Sequence, residues 1–226
     1  MVVLITAYEK EFEKELAAAY AAGKNKVYAI GNEIEVRDKT GDVTLLSSDL
    51  EKAAEQIEKE GGHIDIYIDV SDERSPSDNF DVRTGIDDNV MRKLFDANAI
   101  RPMKLLEVFH PLIEAGEIKR LCYLTSAEAS INESNDNKGY AYKMAKAGLH
   151  NFLQITRNVL APKGYTIRAF DPCTEGAERE KISAKASAQA AMNYFSRNRG
   201  VERGDPNRDD ETNLVFRDAF GRQHSW

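Results

Sequence analysis

Six stretches of this chain are apolar and largely β-branched without alternating between apolar and polar: Val2 to Thr6, Val27 to Ile30, Val43 to Leu46, Ile64 to Val70, Leu121 to Thr125 and Tyr165 to Phe170. A strand with one face in water alternates with period two, so continuous runs of this kind belong to strands buried on both faces. A further run lies near Asn213 to Phe216. Most of the intervals carry helical patterns. Phe12, Leu16 and Tyr20 recur every four residues before Gly23, and longer helical stretches run from Asp49 to Lys59, Asp87 to Phe109, Tyr140 to Leu160 and Ser183 to Arg197. Strands alternating with helices imply crossover connections and parallel pairing. The expected architecture is α/β, a doubly wound parallel sheet of about seven strands with helices on both faces.

With 226 residues, a single domain over 1–226 is expected. The 42% apolar and 31% charged content is that of a globular chain. Lysine and arginine number 31 against 38 acidic residues, a net charge of −7, and no basic tract follows a phosphate backbone, so nucleic acid is not an expected partner. No apolar run reaches the roughly 20 residues of a membrane span, and Met1 leads into a strand without a charged leader, so no membrane association and a cytoplasmic location are expected. Cys122 and Cys173, at or near strands, suit a reducing compartment as buried thiols. His63, His110, His150 and His224 lack the spacing and cysteine partners of a zinc site, and no metal is expected.

Three polar stretches read as loops: Asn32 to Asp42 as a short extra hairpin or loop, Asp72 to Thr84 as a surface loop after the fourth strand, and Glu202 to Glu211 near the C-terminus. Open parallel sheets bind ligands outside the carboxyl ends of their strands. Functional residues are therefore sought just past each strand, at Ala7 to Glu13, Asp49, Asp69 to Glu73, Ser126 to Ser130 and Asp171 to Glu175.

Tyr142 and Lys146, four apart at the start of a long helix, share one helix face. One such pair is expected by chance in a chain with 9 tyrosines, so context decides its meaning. Ser130 precedes Tyr142, just past the strand ending at Thr125, and Asn98 sits mid-helix in Leu94-Phe95-Asp96-Ala97-Asn98-Ala99. In these residues the chain resembles the Rossmann-like short-chain dehydrogenase/reductase family, whose Asn, Ser, Tyr and Lys occur in this order on these elements. The segment from Tyr140 to Leu149 resembles the family's active-site helix, and Arg217 to Trp226 its tail in short members. The Ser-to-Tyr interval is one residue shorter than is usual there, which leaves Ser126 beside Ser130, the preferred match.

The resemblance implies an oxidoreductase that transfers hydride between NAD or NADP and a small carbonyl or alcohol. Tyr142 would move the proton, Ser130 would hold the substrate oxygen, Asn98 would anchor a water behind Lys146, and Lys146 would lower the Tyr142 pKa. Cofactor contacts would fall to Asp49, at the adenine amino group, and to Phe12 and Lys146. Helices 87–109 and 138–160 correspond to those by which the family dimerises, so a homodimer or homotetramer is expected. The substrate is an unspecified small molecule.

Three departures set this chain apart from the family. The glycine-rich turn that cradles the pyrophosphate is replaced by Thr6-Ala7-Tyr8-Glu9-Lys10-Glu11-Phe12-Glu13, with Phe12 and Leu16 keeping the helix's core side. Asp69-Val70-Ser71-Asp72 stands where the family has Asn-Asn-Ala-Gly, and Pro172-Cys173 replaces Pro-Gly. Dinucleotide binding is therefore expected to be weak or absent, and a non-redox homologue, a binding or scaffold protein, is the alternative reading. Glu9, Glu11, Glu13, Asp69, Asp72, Glu73 and Glu175 fall at the same sheet edge. They either cap helix starts or make a cleft for a cation, with Glu11, Glu13 and Asp69 as oxygen ligands.

Overall fold

The computed structural model describes residues 1–31, 43–83, 85–135, 137–174, 181–197, 210 and 213–226. Strands β1 (Val2–Ile5), β2 (Lys26–Ile30), β3 (Val43–Leu46), β4 (Ile66–Asp69), β5 (Arg120–Leu124), β6 (Thr166–Asp171) and β7 (Phe216–Asp218) form one sheet in the order β3-β2-β1-β4-β5-β6-β7. Every pairing in it is parallel. Helices α1 (Glu11–Ala22), α2 (Leu50–Lys59), α3 (Asp88–Phe95), α4 (Arg101–Glu114), α5 (Tyr140–Leu160) and α6 (Ala184–Ser196) cover its faces. The doubly wound architecture expected from the apolar runs is the one observed.

Alternate residues of the same strands feed two separate cores. Leu4, Tyr28, Tyr67, Leu121, Tyr123 and Ile167 pack with α2, α4 and α5, whereas Val3, Ile5, Val27, Ile66, Ile68, Cys122 and Phe170 pack with α1 and α6. This is why the strands read as unbroken apolar runs: both of their faces are interior. Two arginines inside the sheet look anomalous until their partners are named. Arg120 donates to the carbonyls of Phe195 and Arg197, and Arg168 to those of Tyr194 and Arg197. Both guanidinium groups thus satisfy the acceptor end of α6, where the helix dipole favours positive charge.

Several boundaries differ from the sequence reading. The last strand lies at Phe216–Asp218 rather than Asn213 to Phe216. The helix expected from Asp87 to Phe109 continues to Glu114 and is interrupted by a π-helical turn, Asp96–Ile100. The 32–42 stretch lies outside the described residues, as do most of 202–211 and Glu175. Asp210, which is described, is buried and pairs with Arg217 at 2.6 Å. The segment from Asp72 is without helix or strand, as expected, but it is no mere surface loop. Asp78 is buried and accepts the N–H groups of Ala141 and Tyr142 at 3.0 and 2.9 Å. Those orphan donors open α5 behind Gly139, which is left-handed at φ 73° and has no side chain to cap them. Both cysteines are buried, and neither is joined in a disulfide.

Candidate active site

The order reversal between β1 and β4 opens a crevice at their carboxyl ends. Phe12 and Asp72 line it, and Tyr142 and Lys146 lie buried behind Asp72. Tyr142 and Lys146 project from the first turns of α5, positioned by the Asp78 cap. The Lys146 side chain is wholly buried, and its ammonium donates to the carbonyls of Ser71 at 2.5 Å and Leu124 at 3.1 Å, linking the ends of β4 and β5. Its third partner is the Asp72 carboxylate at 3.2 Å. The Tyr142 hydroxyl donates to the same carboxylate at 2.7 Å and accepts from Arg74 Nη2 at 3.0 Å. The Arg74 guanidinium lies 4.0 Å from the Tyr142 ring centroid and is held on its other side by Glu128.

Asp72 and Arg74 thus join the cluster, and sequence reasoning gave neither this place. The carboxylate reverses one expectation. Burial raises the Tyr142 pKa and Asp72 raises it further, so the phenol is held well above its ordinary value rather than lowered by Lys146. Burial also lowers the Lys146 pKa against the pull of Asp72. For Asp72 burial works upward, but Lys146, Arg74 and the Tyr142 hydrogen bond outweigh it and keep the carboxyl ionised below its usual range.

Asn98 sits in the π-helical turn with no exposed surface. Its Nδ2 donates to the carbonyls of Glu73 and Leu94, and its Oδ1 accepts from Glu73 N–H. It therefore clamps the chain just past β4 rather than contacting Lys146 directly. A π turn inserts one residue into a helix and turns a side chain out of register, as happens often at functional sites. Ser130 is buried and its Oγ accepts from Glu133 N–H at 3.2 Å. It is not a partner of the Tyr142 hydroxyl. Ser126 is likewise buried and accepts from Glu128 N–H.

The remaining sites resolve differently. Phe12 is buried in the core beside α6 and lines the inner part of the crevice. Asp49 caps α2 by accepting Lys52 N–H and pairs with the Lys52 ammonium at 2.9 Å. Cys173 has φ 52°, in the left-handed region that favours glycine.

The carboxylates do not converge on a cation. Glu13 turns back to accept N–H groups of Glu9 and Lys10, Asp69 accepts from Tyr67 Oη and Ser71 N–H, and Asp72 faces Lys146. Among the described residues no group of three or more acidic, histidine or cysteine side chains is placed to hold a metal ion. Glu13, Asp69 and Asp72 each have donors of their own, so the cation cleft is corrected in favour of helix capping at Glu13.

A nicotinamide dinucleotide does not fit the residues as they stand. The N–H groups of Glu9 and Lys10 at the entrance to α1 are taken by Glu13, the turn carries side chains where glycines would admit a phosphate, and the Lys146 ammonium is taken by Asp72.

No family model matches the chain. It is 28% identical over 82 residues to C-signal of Myxococcus xanthus, covering 36% of this chain and 49% of that protein. It is also 28% identical over 109 residues to an uncharacterised oxidoreductase of Saccharomyces cerevisiae, covering 48% and 41%. The matched segments span about half or less of these curated relatives. Over its full length the chain superposes on carbonyl reductases: Sniffer of D. melanogaster with TM-score 0.81 at 16% identity, and a Pseudomonas aeruginosa enzyme in complex with NADP with TM-score 0.77 at 19% identity. Each covers 100% of this chain and 99% of the other. An NADPH-bound carbonyl reductase from chicken fatty liver gives TM-score 0.79 at 14% identity, covering 100% and 98%. The chain has the short-chain dehydrogenase/reductase fold, and the resemblance read from its Tyr142 to Lys146 helix is borne out at that level.

Proposed function

We propose that this protein is an oxidoreductase of the short-chain type that acts on the carbonyl or hydroxyl group of a small molecule, with Tyr142 as the proton-transferring group and Lys146 behind it. The observation that carries the reading is the gathering of Tyr142, Lys146 and Asn98, from α5 and the π turn, on the residues 71–73 just past β4, with the lysine fully buried. Burying an ammonium costs several kcal/mol, and an apolar residue would fill the same volume without that penalty. Ser130, on the turn after β5, would move onto the substrate oxygen. NAD or NADP is the redox partner by likeness alone, and its binding is weak or absent in the arrangement described. Two buried cysteines outside any disulfide fit a cytoplasmic protein. A homodimer or homotetramer built through α4 and α5 completes the proposal.

A second reading, a non-redox binding protein on the same fold, is favoured by the carboxylates of Glu13 and Asp72 at the groups a dinucleotide would need. NADPH- and NADH-dependent reduction of a panel of small carbonyl compounds separates the two. Turnover by the parent that Tyr142→Phe abolishes, with circular dichroism unchanged, supports the first. Turnover unaffected by that substitution removes Tyr142 from the mechanism, and none with any compound in the parent favours the second.

A further inference from the structure

The crevice between the ends of β1 and β4 is bridged by the chain itself. From the start of α1 the Lys10 ammonium reaches across to donate to the backbone carbonyl of Asp72 at 2.6 Å. Beside this strut the Glu13 carboxylate accepts the N–H groups of Glu9 and Lys10 at 2.6 and 2.8 Å. These donors lie at the N-cap of α1 and the residue before it, on the side from which an anion would approach the helix. On the far side the Asp72 carboxylate holds Lys146 and Tyr142. Lys10, Glu13, Val70 and Asp72 line both an inner cleft of about 340 Å³, with Pro172 and Ile182, and an outer one of about 330 Å³, with Lys93 and Arg101. They form the wall between two clefts that would otherwise be one groove.

We propose that this wall is an internal competitor for the dinucleotide: the Glu13 carboxylate stands in for the pyrophosphate at the α1 N-terminus, and the Lys10 to Asp72 strut closes the groove that the extended cofactor would occupy. The inference rests on the short-chain reading only for the identity of the excluded ligand. A cofactor that enters must break the strut and displace a carboxylate from two charge-assisted hydrogen bonds, and it must also face that carboxylate's negative charge. The departures at the glycine-rich turn and after β4 are thereby joined, since the Lys10 side chain from the first reaches the backbone of the second across the crevice. Neither Lys10 nor Glu13 belongs to the group around Tyr142 proposed for chemistry.

Calorimetric titration of the full chain with NADPH, and separately with inorganic pyrophosphate, tests this. The parent is expected to bind NADPH with Kd above ~100 µM, and Lys10→Met combined with Glu13→Ala to tighten it by about tenfold or more. Glu13→Gln, which keeps an acceptor for the helix while removing the charge, is expected to give a smaller gain for both ligands and guards against a variant that fails to fold. Micromolar binding of NADPH by the parent overturns the proposal, as does a folded pair of variants with no gain. Variants that bind NADPH tightly yet reduce no carbonyl compound overturn the functional reading and leave this inference standing.

Discussion

At the scale of single residues the site is governed by which charges are buried together. Asp72 is the one carboxylate among the described residues that touches both Lys146 and Tyr142, and Arg74 adds a second cation to the same phenol. Removing it by Asp72→Ala leaves the buried ammonium facing only carbonyls, at an expected cost of about 3–5 kcal/mol in urea unfolding. Lys146→Met in that background should recover much of the loss, and a double variant no more stable than the single one would contradict the pairing. His150 gives a pH signature of its own. Its ring bonds Thr125 Oγ1 at 2.5 Å and packs edge-on against Trp226, and burial followed by the charge of Lys146 lowers its pKa to about 4. The folded ring stays neutral down to about pH 4, whereas the unfolded ring takes a proton below about 6.5. Between those values the unfolded state binds more protons, so stability falls with falling pH, by about 3 kcal/mol in all. Urea midpoints at pH 7 and 4.5 should show this slope, and His150→Gln should flatten it.

At the scale of elements, what was legible in the sequence was what repeats along the chain. The strands declared themselves because both faces are interior, and α5 was read with its observed ends because its apolar positions keep the helical period from Tyr140 to Leu160. The convergence of Tyr142, Lys146 and Asn98 on the residues just past β4 follows from that order. What was not legible is contact between segments distant in sequence. Asp72 and Arg74 lie in a polar stretch whose composition reads as a solvated loop, and nothing periodic signals that it folds inward onto α5. Glu13 carried a usable signal, since a glutamate three residues into a helix commonly reaches back to the N-terminal donors. The Asp78 cap belongs to the hidden class, because its carboxylate serves a helix more than sixty residues away. Asp78→Ala is expected to cost about 1–2 kcal/mol and to speed hydrogen exchange at the Ala141 and Tyr142 amides selectively. Unchanged exchange there would show that the first turn of α5 is held by something else.

At the scale of the whole molecule, no helix among the described residues is long and apolar enough to cross a membrane. Even so, α4 and α5 leave a continuous apolar face outside both cores. Met103, Ile155 and Val159 are about half exposed or more, and with Phe152 they border a shallow surface that Gly148 leaves flat. Single exposed apolar side chains are ordinary, but a contiguous patch on one pair of helices is what a partner covers. A second copy of the chain suits it because an isologous contact lets each substitution-sensitive residue count twice across the two-fold axis. Each fully buried isoleucine or valine contributes about 1.5–3 kcal/mol, so two such positions per copy are enough to decide association. Light scattering on the purified chain is expected to give the mass of two or four copies. Ile155→Glu with Val159→Glu is expected to reduce this to two or one while the circular dichroism stays that of the parent, since neither side chain belongs to a core. A parent that remains at the mass of one chain at high concentration would leave the patch to a different partner.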